Sequence, residues 1–217
     1  MNPHVDQITE TLLTPNDLDL EKLSQTLSIM AVGSVDYADL YFEKSETEMW
    51  SLEDGNVKEA SFHQDSGAGA RSVSGEKQGF SYTNELSVQR LAEACLGAKK
   101  IQTKKTINKI LPLRSQRVSD RYSNVNPLFE RNSEQKIQFL KQLDSLTRAR
   151  DERISEVQAS LAVQHKEILV LASDGTLEAD IRPLVRLSLS VQVCKDGRRE
   201  RGSSGLGGRY SLNIALT

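Results

Sequence analysis

Hydrophobic and polar positions divide the first part of the chain into helical and strand-like stretches. Residues 5–30 place apolar side chains near the helical period after an Asn16-Asp17 cap, which predicts a helix that Gly33 ends. The pattern then becomes an alternation of β-formers on either side of Asp54-Gly55, a dipeptide typical of tight hairpin turns. A second helix is predicted after residue 84, with one apolar face formed by Leu86, Leu91, Ala94, Cys95 and Ala98.

The glycine-rich stretch 67–82 is predicted to form two strands joined by a turn at residues 74–77. A phosphate-binding loop needs GxxxxGK[ST] before a helix, but here Glu76 follows the last glycine and a strand-like GFSY follows Lys77. Glycines at alternate positions leave one strand face bare, for tight packing on a helix or for an extended partner. One face is predicted to carry Ala68, Ala70, Ser72 and Ser74, and the other Gly69, Arg71 and Val73.

The second half repeats this plan after a polar middle segment. Residues 99–132 carry a lysine- and arginine-rich run without interleaved aromatics, which favours a solvated connector over a nucleic-acid patch. Strands with turns at Asp174-Gly175 and Asp196-Gly197 follow, and Pro183 is expected at an edge or a bulge. Before them a helix is predicted from Ser133, whose Lys136 does not complete a capping box, with an apolar stripe of Ile137, Leu140, Leu143 and Leu146.

These elements predict an α+β fold with two lobes, each a largely antiparallel sheet of hairpins with helices packed on one face. We expect a first domain over residues 1–110, a connector over 111–132 and a second domain over 133–217. Strand-helix-strand alternation, which builds a doubly wound parallel sheet, is missing from the pattern.

Composition narrows the function classes. A net charge of −2 and a pI near 6.0 give no general attraction to nucleic acid or to anionic membranes. The polar N-terminus has no signal-peptide core, so we expect a cytoplasmic protein. Cys95 and Cys194 are expected to be buried thiols, since a disulfide is unusual in a reducing compartment.

Catalytic and metal-binding motifs are weak. The three histidines, His4, His63 and His165, have no second ligand at metal spacing, and no GxSxG elbow occurs. Pairs such as Glu53-Asp54 lie in polar stretches typical of solvated faces. The SSGLGG stretch at residues 203–208 is compatible with a mobile loop or with a backbone nest for an anion.

Two long strings resemble a known family. GAGAR…SGEKQGF, with the sequence around it, and DGTLEADIRPLVRLSLSV are similar to the first and second domains of the TldD/PmbA family, on the TldD side. The resemblance covers roughly residues 5–210. It implies a zinc metallopeptidase that acts on peptides, unfolded proteins and modified peptide precursors. It also implies a heterodimer with a PmbA-type subunit, also called TldE, as the partner.

The chain departs from that family in one respect that matters for activity. The family holds zinc with two histidines of an HExxxH helix and a later cysteine, and HExxxH does not occur here. We therefore expect an N-terminal fragment, without zinc and inactive alone, truncated before the catalytic domain. The final SLNIALT does not look like the family, which suggests a frameshift, a premature stop or a cloning boundary.

Two other functions stay open at this stage. The chain could be a non-catalytic module that binds a peptide or a partner subunit, or a decayed gene fragment without function. No catalytic or metal-binding residue is nominated. Polar groups on the family-like strings nominate four substrate-binding residues: Arg71, Glu76, Lys77 and Arg186.

Overall fold

The computed structural model describes residues 2–31, 35–100, 110–115 and 121–215. Helix α1 (Pro3–Ile8) continues into a π-helical turn and a 3-10 turn that ends at Asn16. The other helices are α2 (Leu20–Ala31), α3 (Val88–Lys99), α4 (Ser133–Arg148) and the short α5 (Leu212–Ala215). The strands are β1 (Tyr37–Glu53), β2 (Asn56–Ser74), β3 (Lys77–Thr83), β4 (Ile154–Ala172), β5 (Leu177–Lys195) and β6 (Arg198–Gly208).

All six strands form one antiparallel sheet in the order β3-β2-β1-β4-β5-β6. The α+β class is confirmed, but the two separate sheets expected from the sequence are wrong. The reason is the pairing of β1 with β4, in which Asp54 N donates to Val157 O at 3.0 Å and Ser173 N donates to Ala38 O at 2.8 Å. Alternation along a strand predicts its faces but not its distant neighbour, so the pattern could not reveal this joint.

The predicted hairpin turns are confirmed. Asp54-Gly55 and Asp196-Gly197 both have positive φ at both positions, 49° and 74° in the first and 52° and 79° in the second. This is the backbone of a type I′ turn, which matches the twist of the flanking strands. Pro183 precedes the part of β5 that pairs with β6, which begins at Val185, so the missing N–H interrupts no bond of that ladder.

The chain divides into two compact units, and each draws on both halves of the sequence. Unit 1 comprises Met1–Ser45, Asp65–Ser119 and Lys166–Ile181, and unit 2 comprises Glu46–Gln64, Asp120–His165 and Arg182–Thr217. The long strands β1, β2, β4 and β5 each supply residues to both units. The domain boundaries expected near residues 110 and 133 stay predictions.

Unit 1 buries α1, α2 and α3 against one face of its strands. The first predicted helix is in fact divided: the chain turns at Asp17, where φ is 54°, and α2 begins after Asp19, whose carboxylate accepts from Lys22 N at 2.7 Å. Gly33 and residues 101–109 and 116–120 of the basic middle segment lie outside the described residues. The core includes Leu23, Leu27, Leu40, Phe42, Ala70, Leu91, Cys95 and Leu169.

Unit 2 packs α4 on its strands through a face that differs from the predicted stripe. Leu140 is buried, but Leu146 is 66% exposed, and the polar residues Lys136 and Asp144 are buried one turn on either side of Leu140. The predicted stripe is therefore wrong in part. A polar residue can occupy a core position when a hydrogen-bond or ion-pair partner lies next to it. The core includes Leu52, Leu128, Leu140, Leu161, Val163, Val185 and Leu212.

Candidate functional site

A groove of about 780 Å³ lies on the face of unit 1 opposite its buried strand residues. We call it the β1–β3 groove, because side chains and backbone of β1, β2 and β3 line it. Strand β1 contributes alternate residues, while the residues between them, such as Leu40 and Phe42, are buried in the core. The contribution of β1 is Asp39, Tyr41, Glu43 and Ser45.

The glycines of β2 form part of the floor of this groove. A Cβ on Gly69 would come within 3.0 Å of the Phe80 ring, and one on Gly67 within 2.8 Å of the Thr83 carbonyl oxygen. On the opposite face of the strand, Ala68, Ala70 and Ser72 are buried. The alternation predicted for this strand is therefore confirmed, and its glycines allow close packing against β3.

Arg71, nominated from the sequence, lies in the groove and is held by an ion pair. Its Nη2 and Nε lie 2.5 and 2.8 Å from Asp39 Oδ2, and its guanidinium carbon is 5.6 Å from the centre of the Tyr37 ring. The hydrogen bond to Asp39 raises the pKa of Arg71, and burial together with the Asp39 charge raises the pKa of Tyr37. Arg71 therefore neutralises a carboxylate that is only 7% exposed.

A second carboxylate in the groove is also paired. Glu43 accepts a hydrogen bond of 2.6 Å from the Tyr41 hydroxyl and forms an ion pair of 2.7 Å with Lys166 of β4. Asp65 lines the same groove, is exposed, and forms no ion pair with any other described residue. The groove therefore presents one carboxylate that has no cation of its own in the described parts of the chain.

Two aromatic residues of the edge strand β3 form the other wall. Phe80 and Tyr82 are 63% and 77% exposed, and their rings stack with centroids 6.4 Å apart. Exposed aromatic side chains of this size on one strand face are typical of contact surfaces. Neither this pair nor the groove carboxylates Asp39 and Glu43 of β1 were predicted, although the period of two in both strands was there to find them.

The other three nominated residues lie elsewhere. Glu76 is in the β2–β3 turn and Lys77 begins β3, where both are exposed, and neither lines the groove. Arg186 belongs to unit 2, where it lines a serine-rich depression of about 450 Å³. The structure thus brings only Arg71 into the groove, and a role for any of the four in substrate binding stays a prediction.

Zinc does not fit the residues that the structure describes. The described parts of the chain contain no group of three or more histidine, cysteine, aspartate or glutamate side chains that could hold a metal ion. His63 is exposed on β2, whereas His4 and His165 are buried on other elements. Burial raises the pKa of the Cys95 thiol to about 12, which disfavours the thiolate that a metal requires.

The expected pair of buried thiols is half right. Both cysteines are free, but Cys95 is buried and Cys194 is only partly so. Among the described helices, none is long and apolar enough to cross a membrane.

Two family models match the chain. Residues 38–101 match PmbA/TldA metallopeptidase domain 1, and residues 126–216 match the PmbA/TldA metallopeptidase central domain. The second match runs through SLNIAL, and Leu212 is fully buried in the core of unit 2. The expectation that this segment does not look like the family is therefore wrong.

Related proteins agree with these models. A metalloprotease TldD homolog from Haemophilus influenzae is 46% identical over 211 residues, which cover 96% of this chain and 44% of the relative. The chain thus spans less than half of the length of that relative.

Two solved structures share the fold. One is a protein from Bacteroides thetaiotaomicron described as a candidate modulator of DNA gyrase, with a TM-score of 0.70 and 16% identity over 89% of this chain and 45% of that one. The other is TldE from Thermococcus kodakarensis, with a TM-score of 0.63 and 16% identity over 84% of this chain and 42% of that one. Likeness at this identity shows the fold alone, whereas the family models cover most of the chain. This chain therefore belongs to the PmbA/TldD metallopeptidase family and carries its first and central domains.

Proposed function

We propose that the chain is the N-terminal, non-catalytic portion of a TldD-like zinc metallopeptidase that cleaves peptides, unfolded proteins or modified peptide precursors. The observation that carries the proposal is the 46% identity with a metalloprotease TldD homolog of which the chain spans 44%. The sequence has no HExxxH, and the described residues offer no metal-binding group, so hydrolysis would depend on residues outside this chain.

A chimaera tests this proposal. This chain would replace the matching 44% of the Haemophilus influenzae relative, and the chimaera and the chain alone would be compared on an unfolded peptide substrate. We expect the chimaera to bind about one zinc ion and to cleave the peptide, and the chain alone to do neither. One equivalent of zinc in the pure chain, or cleavage by it, would overturn the assignment of a non-catalytic role.

A second candidate function is binding. The β1–β3 groove is large enough for several residues of an extended peptide, and its edge strand β3 carries exposed aromatic side chains. Within the proposed function, this part of the protein would hold a peptide while another part cuts it. Arg71 is the nominated residue that lies in this groove. In addition, we propose that the same chain pairs with a PmbA- or TldE-like subunit.

Co-purification tests the pairing. A tagged copy of this chain expressed with a TldE-like subunit should retain that subunit at equal stoichiometry through size-exclusion chromatography. Elution of the two proteins apart would contradict pairing through these two domains.

We propose the cytoplasm as the location, and the two free thiols of the folded chain are compatible with a reducing compartment.

A further inference from the structure

The charges that line the β1–β3 groove do not balance. Among the described residues that line it, three carboxylates, from Asp39, Glu43 and Asp65, meet the single guanidinium of Arg71. Arg71 pairs with Asp39, and Lys166 pairs with Glu43 from the neighbouring strand at 2.7 Å. Asp65 is left exposed at one end of the groove without a cation among the other described residues. An occupant that brings a positive charge to Asp65 would complement the groove.

The aromatic wall lies at a definite distance from that carboxylate. Gly69 of β2 is paired with Tyr82 of β3, and Arg71 is paired with Phe80. Asp65 lies four residues before Gly69 on the same strand, which corresponds to roughly 13 Å at the rise of an extended chain. An extended peptide places its side chains of one face at the same spacing, so residues i and i+4 would reach Asp65 and Tyr82 together.

We propose that the β1–β3 groove binds an extended peptide segment that carries a lysine or arginine opposite Asp65 and an apolar or aromatic residue, four positions away, on the Phe80–Tyr82 pair. This inference rests on the second candidate function above and adds the residue pattern of the peptide. The basic side chain gains the ion pair that Asp65 lacks, and the apolar residue covers ring surface that is now more than half exposed.

The paired carboxylates explain why the proposed peptide carries one basic residue and not several. Asp39 and Glu43 already have cations at 2.5 and 2.7 Å, so a second lysine in the peptide would have to displace one of them. An acidic peptide would meet Asp65 without compensation. The groove therefore selects peptides by charge at the Asp65 end and by apolar contact at the Phe80–Tyr82 end.

A peptide series tests the pattern by fluorescence anisotropy. Rhodamine-labelled peptides of Gly, Ser and Thr would carry Lys-Xaa3-Phe, Gln-Xaa3-Phe or Glu-Xaa3-Phe at their centre, and a fourth would carry Lys-Xaa-Phe. We expect the dissociation constant to rise about threefold from Lys to Gln and about tenfold from Lys to Glu, with the gap shrinking in high salt. The short-spaced peptide should bind about fivefold more weakly, because it reaches one feature at a time.

Variants of the chain locate the two contacts. Asp65→Asn should weaken the Lys peptide about threefold and leave the Gln peptide unchanged, and Tyr82→Ala should weaken both about fivefold. Glu59→Gln, an exposed carboxylate on β2 outside the groove, and Phe129→Ala, an exposed aromatic residue of unit 2, serve as matched controls and should change neither. Thermal melts check that each variant folds, and the series on the unchanged chain decides the matter if one does not.

The outcomes separate this inference from the proposals beneath it. Equal affinity for the Lys, Gln and Glu peptides would overturn the pattern but leave peptide binding in place. Failure of every peptide to bind would overturn both the pattern and the binding function. Loss of selectivity in the Glu59→Gln control would place the contact elsewhere and would also overturn the inference. The zinc and cleavage measurements on the chimaera stand apart from all three results.

Discussion

Lys136 is a charged side chain in the core of unit 2, where only 1% of the residue is exposed. Its ammonium group lies 2.5 Å from Glu48 Oε2 and 2.8 Å from the carbonyl oxygen of Leu128. Glu48 also accepts a hydrogen bond of 2.6 Å from the indole of Trp50. The pair therefore ties α4 and the segment before it to β1, and both charges are compensated in a place with little water.

Removing one partner of this pair should be costly. We expect Lys136→Ala to lower the free energy of unfolding by about 3–5 kcal/mol, because the carboxylate of Glu48, only 14% exposed, is left without its cation. Denaturant titration followed by fluorescence measures this directly, since Trp50 is the single tryptophan of the chain and touches the site.

Further variants test whether this loss of stability comes from the unpaired charge. Lys141→Ala, on the exposed side of the same helix, should change stability by less than about 0.5 kcal/mol. The double variant Lys136→Met with Glu48→Gln should lose less stability than Lys136→Met alone, because neither charge is then uncompensated. Equal losses in these two variants would show that packing, not charge, holds the site.

Cys95 gives unit 1 a dependence on alkaline pH. Its folded pKa is raised by burial from the ordinary value of 9.0 to about 12, so the unfolded chain releases the thiol proton first as pH rises. The contribution to stability is therefore intact below pH 9 and is lost between pH 9 and 12. From pH 9 to 10.5 we expect this one group to lower the free energy of unfolding by about 1.5–2 kcal/mol.

Comparison with Cys95→Ala isolates that contribution from the other groups that titrate there. The difference in unfolding free energy between the chain and the variant should shrink across this range, as measured by denaturant titration at each pH. Cys194→Ala, which removes the partly exposed thiol, is the matched control and should run parallel to the unchanged chain. Parallel curves for all three proteins would contradict the buried-thiol account.

At the scale of elements, α4 begins with a full capping box at Asn132, whereas a cap at Ser133 predicted an incomplete one. Asn132 Oδ1 accepts from Gln135 N at 2.9 Å, and Gln135 Oε1 accepts from Asn132 N at 3.0 Å. A cap on Ser133 had suggested Lys136 as the incomplete third position. Lys136 is the residue that follows the box, and its side chain points into the core towards Glu48.

Single substitutions distinguish a helix cap at Asn132 from one at Ser133. Asn132→Ala should lower the free energy of unfolding by about 1 kcal/mol, because one backbone N–H of the first turn loses its acceptor. Ser133→Ala, at the position first assigned to the cap, should have an effect close to zero, since its side chain caps nothing. The reverse order of the two effects in denaturant titrations would restore the assignment to Ser133.

At the scale of the whole molecule, stability should not depend on a metal ion. A bound metal stabilises the folded state by about 2.7 kcal/mol at a hundred times its dissociation constant, and a chelator removes that contribution. The described residues contain no group that could hold such an ion, so we expect EDTA to leave the melting temperature unchanged. A fall on adding EDTA, reversed by zinc, would reveal a metal contribution.

The same melt bears on the idea of a decayed gene fragment. The two buried clusters, one in each unit, predict a chain that folds and unfolds cooperatively. A broad transition without a baseline, together with aggregation, would favour the decayed fragment instead. The family expectation itself rests on the matches over residues 38–101 and 126–216 and does not depend on this result.

The sequence by itself determined the local features of this protein. The Asp-Gly turns, the helix that buries Leu91 and Cys95, and the alternation of β2 could be predicted, because each depends on residues a few positions apart. The family resemblance could also be recognised from the order of residues along two strings. Arg71 was nominated as a candidate site residue because it lies in one of those strings.

Only the tertiary structure decided how these parts combine. The pairing of β1 with β4 joins residues more than a hundred positions apart into one sheet, and the burial of Lys136 depends on Glu48, which lies 88 positions away. The β1–β3 groove likewise needs three strands side by side before Asp39, Gly69 and Tyr82 share a surface. Local patterns fix which face a residue takes on its own element, but the partner of that face is chosen by long-range packing.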